Sequence, residues 1–341
     1  MPQKPMFELP GNTAITVKMN TMNANHSRRR ILAKMGQGLG VLVTLPLAAQ
    51  MSHAQTAAAG KTVTVPHAKG EVQVPFKPVR VLVFELAALD TLQALGGEVR
   101  GVPEFKMPPL LARYADAKYA RIGSLFEPDY ESIKALSPDL IIVGGRSEAK
   151  YKELSRFAPV LDLSVSDQHQ MADIYRNIRT LGAVYGLQDK AEAEVRSVEQ
   201  AITALHGKAQ DAGKGLVLLT SGGKLSAYGP GSRFGMLHDV FGVKPAIDNL
   251  TVARHGQVVS FEFLLKTNPD WLFVIDRDVA IGQDGKTAQQ LLDNPLVRAT
   301  KAWRGKQVVY LNAANWYTLS NAGPGALKAN IQQLSDAFTR T

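Results

Sequence analysis

The sequence predicts an α/β protein: two Rossmann-like lobes with mostly parallel sheets, joined by a single long helix. Three observations carry this expectation. Residues 130–146, YESIKALSPDLIIVGGR, recur in construction at 261–277, FEFLLKTNPDWLFVIDR. Glu131, Pro138 and Arg146 keep the spacing of Glu262, Pro269 and Arg277, at one offset of 131 residues. So long an offset marks duplicated domains rather than solenoid units, which recur every ~20–50 residues. Short apolar runs alternate with helical patterns, as in a parallel sheet covered on both faces. Between the copies, Met171, Ile174, Ile178, Leu181 and Tyr185 fall three and four apart and form one stripe of a long helix.

In chain order, the alternation around glycine and proline from Thr62 to Val74 suggests a small hairpin at the entrance of the first lobe. Val79–Phe84 is a short apolar run. A helix carrying Leu89, Leu92 and Leu95 follows and ends at Gly96-Gly97. Val99–Val102 reads as a strand and the polar 112–119 region as a loop or short helix. The first copy of the repeat then supplies helix and strand. A helix from Ser147 and a strand at Leu161–Leu163 close a first lobe over 60–167. The connecting helix occupies 168–187, and a second helical stretch, Asp189–Ala209, opens the other lobe, 188–341, with no strand between them. Strands are expected at Gly215–Thr220 and Lys224–Tyr228, a helix near Phe234–Phe241, and then the second copy. Leu291–Trp303 is helical with a break at Pro295, Gln307–Leu311 is a strand, and Ala326–Phe338 is a closing amphipathic helix.

Composition narrows the function. The 341 residues are 45% hydrophobic and 20% charged, ordinary for a globular chain long enough for two cores. The net charge of +9 is concentrated at the amino terminus. Without residues 1–54 the balance is 33 basic to 29 acidic, with no basic run, so nucleic acid is not an expected partner. With no cysteine, disulfides, zinc-thiolate sites and thiol nucleophiles are excluded.

Residues 1–54 read as an extension and an export signal. Ser27–Leu32 is charged, Gly36–Ala49 is weakly apolar, and Ser52-His53-Ala54 offers small residues for cleavage. The arginines before Ile31-Leu32 suit the twin-arginine route. An apolar run this short falls below the ~20 residues a spanning helix needs. A soluble protein exported to the periplasm is expected.

Arg146 and Arg277 each follow a strand, and ligands in open α/β sheets bind beyond the carboxyl ends of strands. The bland alternative is a pair of capping or surface arginines, which the matched register makes less attractive. Arg233, in GPGSRFG, is a third candidate, although a turn before a helix explains that loop equally well. His255, in TVARHG, and Tyr317, in NAANWYTLSNAGPG, lie in loops where surface or packing roles are the ordinary alternatives. Enzyme motifs fail: Gly285-Lys286-Thr287 lacks the earlier phosphate-loop glycine, G-x-S-x-G is absent, and His238-Asp239 lies within a helix.

Over roughly residues 60–340 the chain resembles periplasmic siderophore-binding proteins of ABC iron importers, in the branch that captures ferric catecholates. SAYGPGSRFGMLHDVFG, ARHGQVVSFEFLLKTNPDWLFVIDRD and NWYTLSNAGPGALK carry the likeness. The resemblance implies the class III periplasmic binding protein fold, with two lobes on one helix. It also implies that His255 and Tyr317 bind iron directly and that Arg146, Arg233 and Arg277 line an anion pocket. Glu131 and Glu262, one on each lobe, would dock onto the membrane permease. The cargo would be Fe(III) as a siderophore complex, with no permanent cofactor, no enzymatic activity and a monomeric chain. A tetradentate bis-catecholate leaves two iron positions open, which an imidazole and a phenolate can fill. Three arginines offset the anionic charge by charge-assisted hydrogen bonds. Haem or cobalamin carriage on the same fold, and an exported hydrolase, are the alternatives.

Overall fold

The repeated segment forms the same unit twice, down to its hydrogen bonds. In the computed structural model, which describes residues 61–253, 255–320 and 322–340, the helices are Tyr130–Leu136 and Phe261–Thr267. Asp129 caps the first through the Glu131 and Ser132 amides, and Ser260 caps the second through that of Phe263. Each helix ends on a non-glycine residue in the left-handed region, Ser137 (φ 45°) and Asn268 (φ 44°). The aspartate after each proline then pins the neighbouring strand. Asp139 accepts from the Arg80 amide at 2.9 Å, and Asp270 from that of Lys214 at 2.9 Å.

Thirteen strands occur among the described residues. β1 (Thr62–His67) and β2 (Gly70–Pro75) form the expected antiparallel hairpin. The first sheet comprises β3 (Val81–Val83), β4 (Gly101–Val102), β5 (Ala120–Arg121), β6 (Leu140–Val143) and β7 (Val160–Asp162). All are parallel, in the order β5-β4-β3-β6-β7. The second has β8 (Lys214–Ser221), β9 (Lys224–Tyr228), β10 (Lys244–Pro245), β11 (Gln257–Val259), β12 (Trp271–Asp276) and β13 (Val308–Tyr310). Its order is β11-β9-β8-β12-β13, with β10 also on β8. β8, β12, β13 and β10 run parallel; β9 forms antiparallel pairs with β8 and β11. The repeated strands, β6 and β12, thus hold the same place in their sheets.

The apolar runs bury both faces, and the faces go to different cores. Leu272 and Val274 of β12 join a cluster private to the second sheet, and Leu82, Ile141 and Val143 join one private to the first. The alternate residues, Val81, Val83 and Ile142 on one sheet and Val217, Phe273 and Ile275 on the other, belong to one large shared cluster. The helix Gln170–Tyr185 contributes Ile174, Ile178 and Leu181 to it, as the stripe predicts. The helix Gln188–Ala209 contributes Val195, Val198 and Leu205, and the last helix, Pro324–Thr339, Leu327, Ile331 and Leu334.

The last helix also receives a cap from the other end of the chain. Asp90, in the helix Leu86–Leu95, is 1% exposed and accepts from the Ala326 amide at 2.9 Å. Residues Thr62–Thr341 accordingly form one compact unit. Among the described residues no helix is long and apolar enough to cross a membrane. The segment read as an extension and export signal lies outside them.

Local differences from expectation are confined to short pieces. The polar 112–119 region lies across a 3-10 turn, Pro109–Ala115, that leads into the unanticipated strand β5. The helix expected from Ser147 is a 3-10 turn, Glu148–Lys150, followed by one turn at Tyr151–Leu154. The helical 291–303 stretch is three short helices, restarted by Thr287, Asn294 and Thr300 caps. Each cap offers a side-chain oxygen to the next turn, so starting afresh competes with continuing.

Candidate functional site

Both sheets change direction at the same point in their order, between β3 and β6 and between β8 and β12. Beyond the carboxyl ends of those strands lies a cavity of ≈ 700 Å3, within the ~300–1,000 Å3 usual for ligand sites. Its walls include Arg146, Arg233, Arg277, His255 and Tyr317, the five residues singled out as ligand-binding or metal-binding candidates.

The first-sheet side is built on glycine. After β6, Gly144 and Gly145 bring the chain round to Arg146. A Cβ on Gly144 would lie 2.7 Å from Oε2 of Glu85, so the bare backbone leaves room for that carboxyl. The Gly145 amide donates to Ser164 Oγ at 3.1 Å, which fixes the loop. Arg146 then reaches the other side, donating to the carbonyls of Thr318 at 2.9 Å and Tyr317 at 3.0 Å.

On the second side, Arg277 follows β12 directly, donates from Nε to the Tyr317 hydroxyl at 3.0 Å, and lies 3.3 Å from Ser221 Oγ. The Arg233 loop is held by Ser232 Oγ on the Gly229 carbonyl (2.6 Å) and by Asp239 on the Gly231 amide (2.7 Å). Arg233 donates to the Tyr317 carbonyl at 3.0 Å, with its guanidinium 4.5 Å from the phenol ring centre. Burial, above all, pushes Arg233 below the usual arginine range, and Arg146 adds to this while Tyr317 opposes it.

Tyr317 is thus the hub of the cluster. It sits on a single π-helical turn, Ala314–Thr318, an irregularity frequent at functional sites. The turn sends Trp316 into the core, edge-on to Phe241 at 6.2 Å, and leaves Tyr317 half-buried on the cavity wall. Burial is the largest influence on its phenol and would raise its pKa. The hydrogen bond from Arg277 and the charges of Arg233 and Arg277 together outweigh it, so Tyr317 ionises below the usual tyrosine range.

His255 also lines the cavity, on an exposed turn just before β11. Its neighbour Gly256 (φ 68°) leaves no room for a Cβ, which would lie 2.7 Å from the Tyr228 ring. Each guanidinium carries five N–H donors, so the carbonyl and hydroxyl contacts leave donors spare for an anion. Glu131 and Glu262 lie elsewhere: both are exposed, in the first turns of the repeated helices, and absent from the cavity wall.

Glu85 is one of the wall residues that sequence reasoning missed. It caps the helix Leu86–Leu95 through the Ala87 amide at 3.2 Å and lines the cavity beside Arg146. Burial pushes its carboxyl up, against the pull of Arg146. The signal was available, since Glu85 directly follows the apolar run Val79–Phe84 and so stands at a carboxyl edge like the arginines.

A family model described as periplasmic binding protein matches residues 81–314. The chain is 40% identical to the petrobactin-binding protein YclQ of Bacillus subtilis over 283 residues, 82% of this chain and 89% of that protein. The crystal structure of YclQ superposes with a TM-score of 0.79 at 38% identity, covering 82% of this chain and 99% of that one. The ferric-anguibactin-binding protein FatB of Vibrio anguillarum is 30% identical over 81% of this chain and 87% of its own length. The periplasmic catecholate-siderophore binding protein VctP of Vibrio cholerae superposes at a TM-score of 0.75 with 31% identity, covering 82% of this chain and 100% of that one.

Proposed function

The chain belongs to the periplasmic binding protein family, whose members are substrate-binding proteins, and on that premise we propose that it captures a ferric catecholate siderophore for import. The carrying observation is the convergence of Arg146, Arg233 and Arg277 on Tyr317 in one cavity, with His255 on its wall. Iron arrives as substrate within its chelator, and the protein supplies no resident cofactor. A tetradentate bis-catecholate leaves two positions on Fe(III), for the His255 imidazole and the Tyr317 phenolate. The arginines that ease ionisation of that phenol also offset the charge of the anionic complex. That relatives are named for petrobactin, ferric anguibactin and catecholate siderophores supports this class of cargo.

The rest of the reading concerns delivery. We take 60–167 and 188–341 as the lobes on either side of the 168–187 helix, in a monomer exported to the periplasm behind the 1–54 segment. Glu131 and Glu262, exposed at matching places on the repeated helices, would engage the permease of an ABC importer. The chain is a carrier rather than an enzyme; turnover of an ester-linked siderophore would overturn that.

The test is titration of the purified protein with a ferric bis-catecholate, read by tryptophan quenching and by a visible charge-transfer band. Coordination requires that His255→Ala with Tyr317→Phe weaken binding and shift the band. Wild-type affinity in that double variant would sink it.

A further inference from the structure

Phe126 is 57% exposed and lines the same cavity as Arg146 and Glu148. A single exposed apolar side chain is ordinary by itself. What sets this one apart is the rigidity of its mount. The Ser124 amide donates to the Glu127 carbonyl at 2.8 Å, and Ser124 Oγ accepts from the Phe126 and Glu127 amides at 3.2 and 3.0 Å. Below the turn, Gly123 and Pro128 form an antiparallel bridge. Gly123 (φ 101°) lies so close to the returning chain that a Cβ would be 2.4 Å from the Asp129 amide and the Glu127 carbonyl. Lys150 pairs with Glu127 at 2.7 Å and ties the turn to the segment after Arg146. Leu125 is buried at 5% exposure, which anchors the turn from inside and leaves Phe126 facing out.

A turn braced at this many points fixes the direction in which the Phe126 side chain leaves the backbone, and with Leu125 buried inside, that direction is toward the cavity and solvent. The second-sheet side of that cavity provides Arg233, Arg277 and the phenol; on the first-sheet side, which provides Arg146, Phe126 adds an aromatic face. A ligand with its own aromatic rings would gain from such a face, because aromatic pairs are favoured beyond the area they bury.

We propose that Phe126 is a specificity-determining residue, which packs against an aromatic ring of the bound ligand and favours aromatic over aliphatic chelators. This rests on the ferric catecholate reading above. Because the turn is pre-ordered, ligand packing does not have to order the backbone that carries the ring.

The experiment compares wild type with Phe126→Ala, Phe126→Leu and Phe126→Trp in the full chain, each titrated with the ferric complex of a tetradentate bis-catecholate. Phe126→Ala should raise Kd by about tenfold. Phe126→Trp should stay near wild type, and Phe126→Leu should remain weakened despite its apolar bulk. Melting temperatures should change little, since the ring is largely in water. Equal affinity in the alanine variant overturns the proposal, as does full rescue by leucine. Unchanged affinity with impaired cellular uptake would overturn it in favour of a permease contact. A wild-type chain that bound no ferric catecholate would instead bring down the parent reading together with this one.

Discussion

Tyr317 carries the sharpest consequences at the scale of single residues. Its phenol ionises below the usual range, so the folded chain forms the phenolate more readily than the unfolded chain does. That preference adds stability above the unfolded tyrosine value of about 10, and the contribution is lost as pH falls through the lowered native value. Ultraviolet titration should therefore show an early tyrosinate step that is absent from Tyr317→Phe. Arg277→Ala should move this step upward, because it removes the 3.0 Å hydrogen bond. The same variant should weaken ferric catecholate binding by about tenfold or more, since a charge-assisted hydrogen bond is worth ~1.5–3 kcal/mol. Placement of the five candidates around one cavity was legible in the sequence for the two arginines in the repeat. They follow strands, and strand ends have a rule. Tyr317 also follows a strand, β13, but a tyrosine there reads first as packing; His255 and Arg233 have no such rule, because loop geometry orients them and leaves no periodic signal. For those three, likeness to a family did what pattern could not.

The duplicated helix–turn–strand gives paired tests at the scale of elements. Ser137 and Asn268 occupy equivalent left-handed positions, but Asn268 also accepts from the Lys301 amide at 2.8 Å. Ser137→Gly should stabilise the chain by up to ~1 kcal/mol by relieving the left-handed backbone. Asn268→Gly should gain the same relief and lose a hydrogen bond worth ~1 kcal/mol, for little net change. Denaturant midpoints of the two variants would separate these outcomes. The Asp90 cap on the last helix is a second element-level contact with a measurable signature. Burial raises Asp90 to about 6, against the pull of the Ala326 and Gly325 amides. A raised native value means that its stabilising contribution is complete below the unfolded value, ~3.9, and declines as pH rises through about 6. Asp90→Asn should flatten that part of the stability–pH curve. Asp90→Ala, which leaves the Ala326 amide unpartnered, should cost ~1–3 kcal/mol. Elements with strong apolar runs or stripes were readable in advance. Around 109–121 and 288–304 the helical character and the break at Pro295 were readable, but β5 and the exact starts and stops were not, because capping residues rather than burial decide where the short helices begin and end.

At the scale of the whole molecule, the repeat revealed two related sheets, and it gave no hint of what joins them. Residues 90 and 326 meet through packing that no local pattern encodes, and the central cluster draws on the helices Leu86–Leu95, Gln188–Ala209 and Pro324–Thr339 as well as on Gln170–Tyr185, the helix read as the link. Delivery is also a whole-molecule property. Glu131→Arg should leave ferric catecholate affinity unchanged and impair uptake by cells, and equal uptake would sink the proposed docking role. The shared cluster bears on the melting behaviour. Were each sheet to rest only on its private core, a calorimeter would record two peaks, one per sheet. With one cluster drawing on both sheets and on the last helix, neither half can come apart while leaving the other's interior dry. A single endotherm is expected, with van't Hoff and calorimetric enthalpies in agreement. The cargo, touching both sides, should move that one peak upward as a whole.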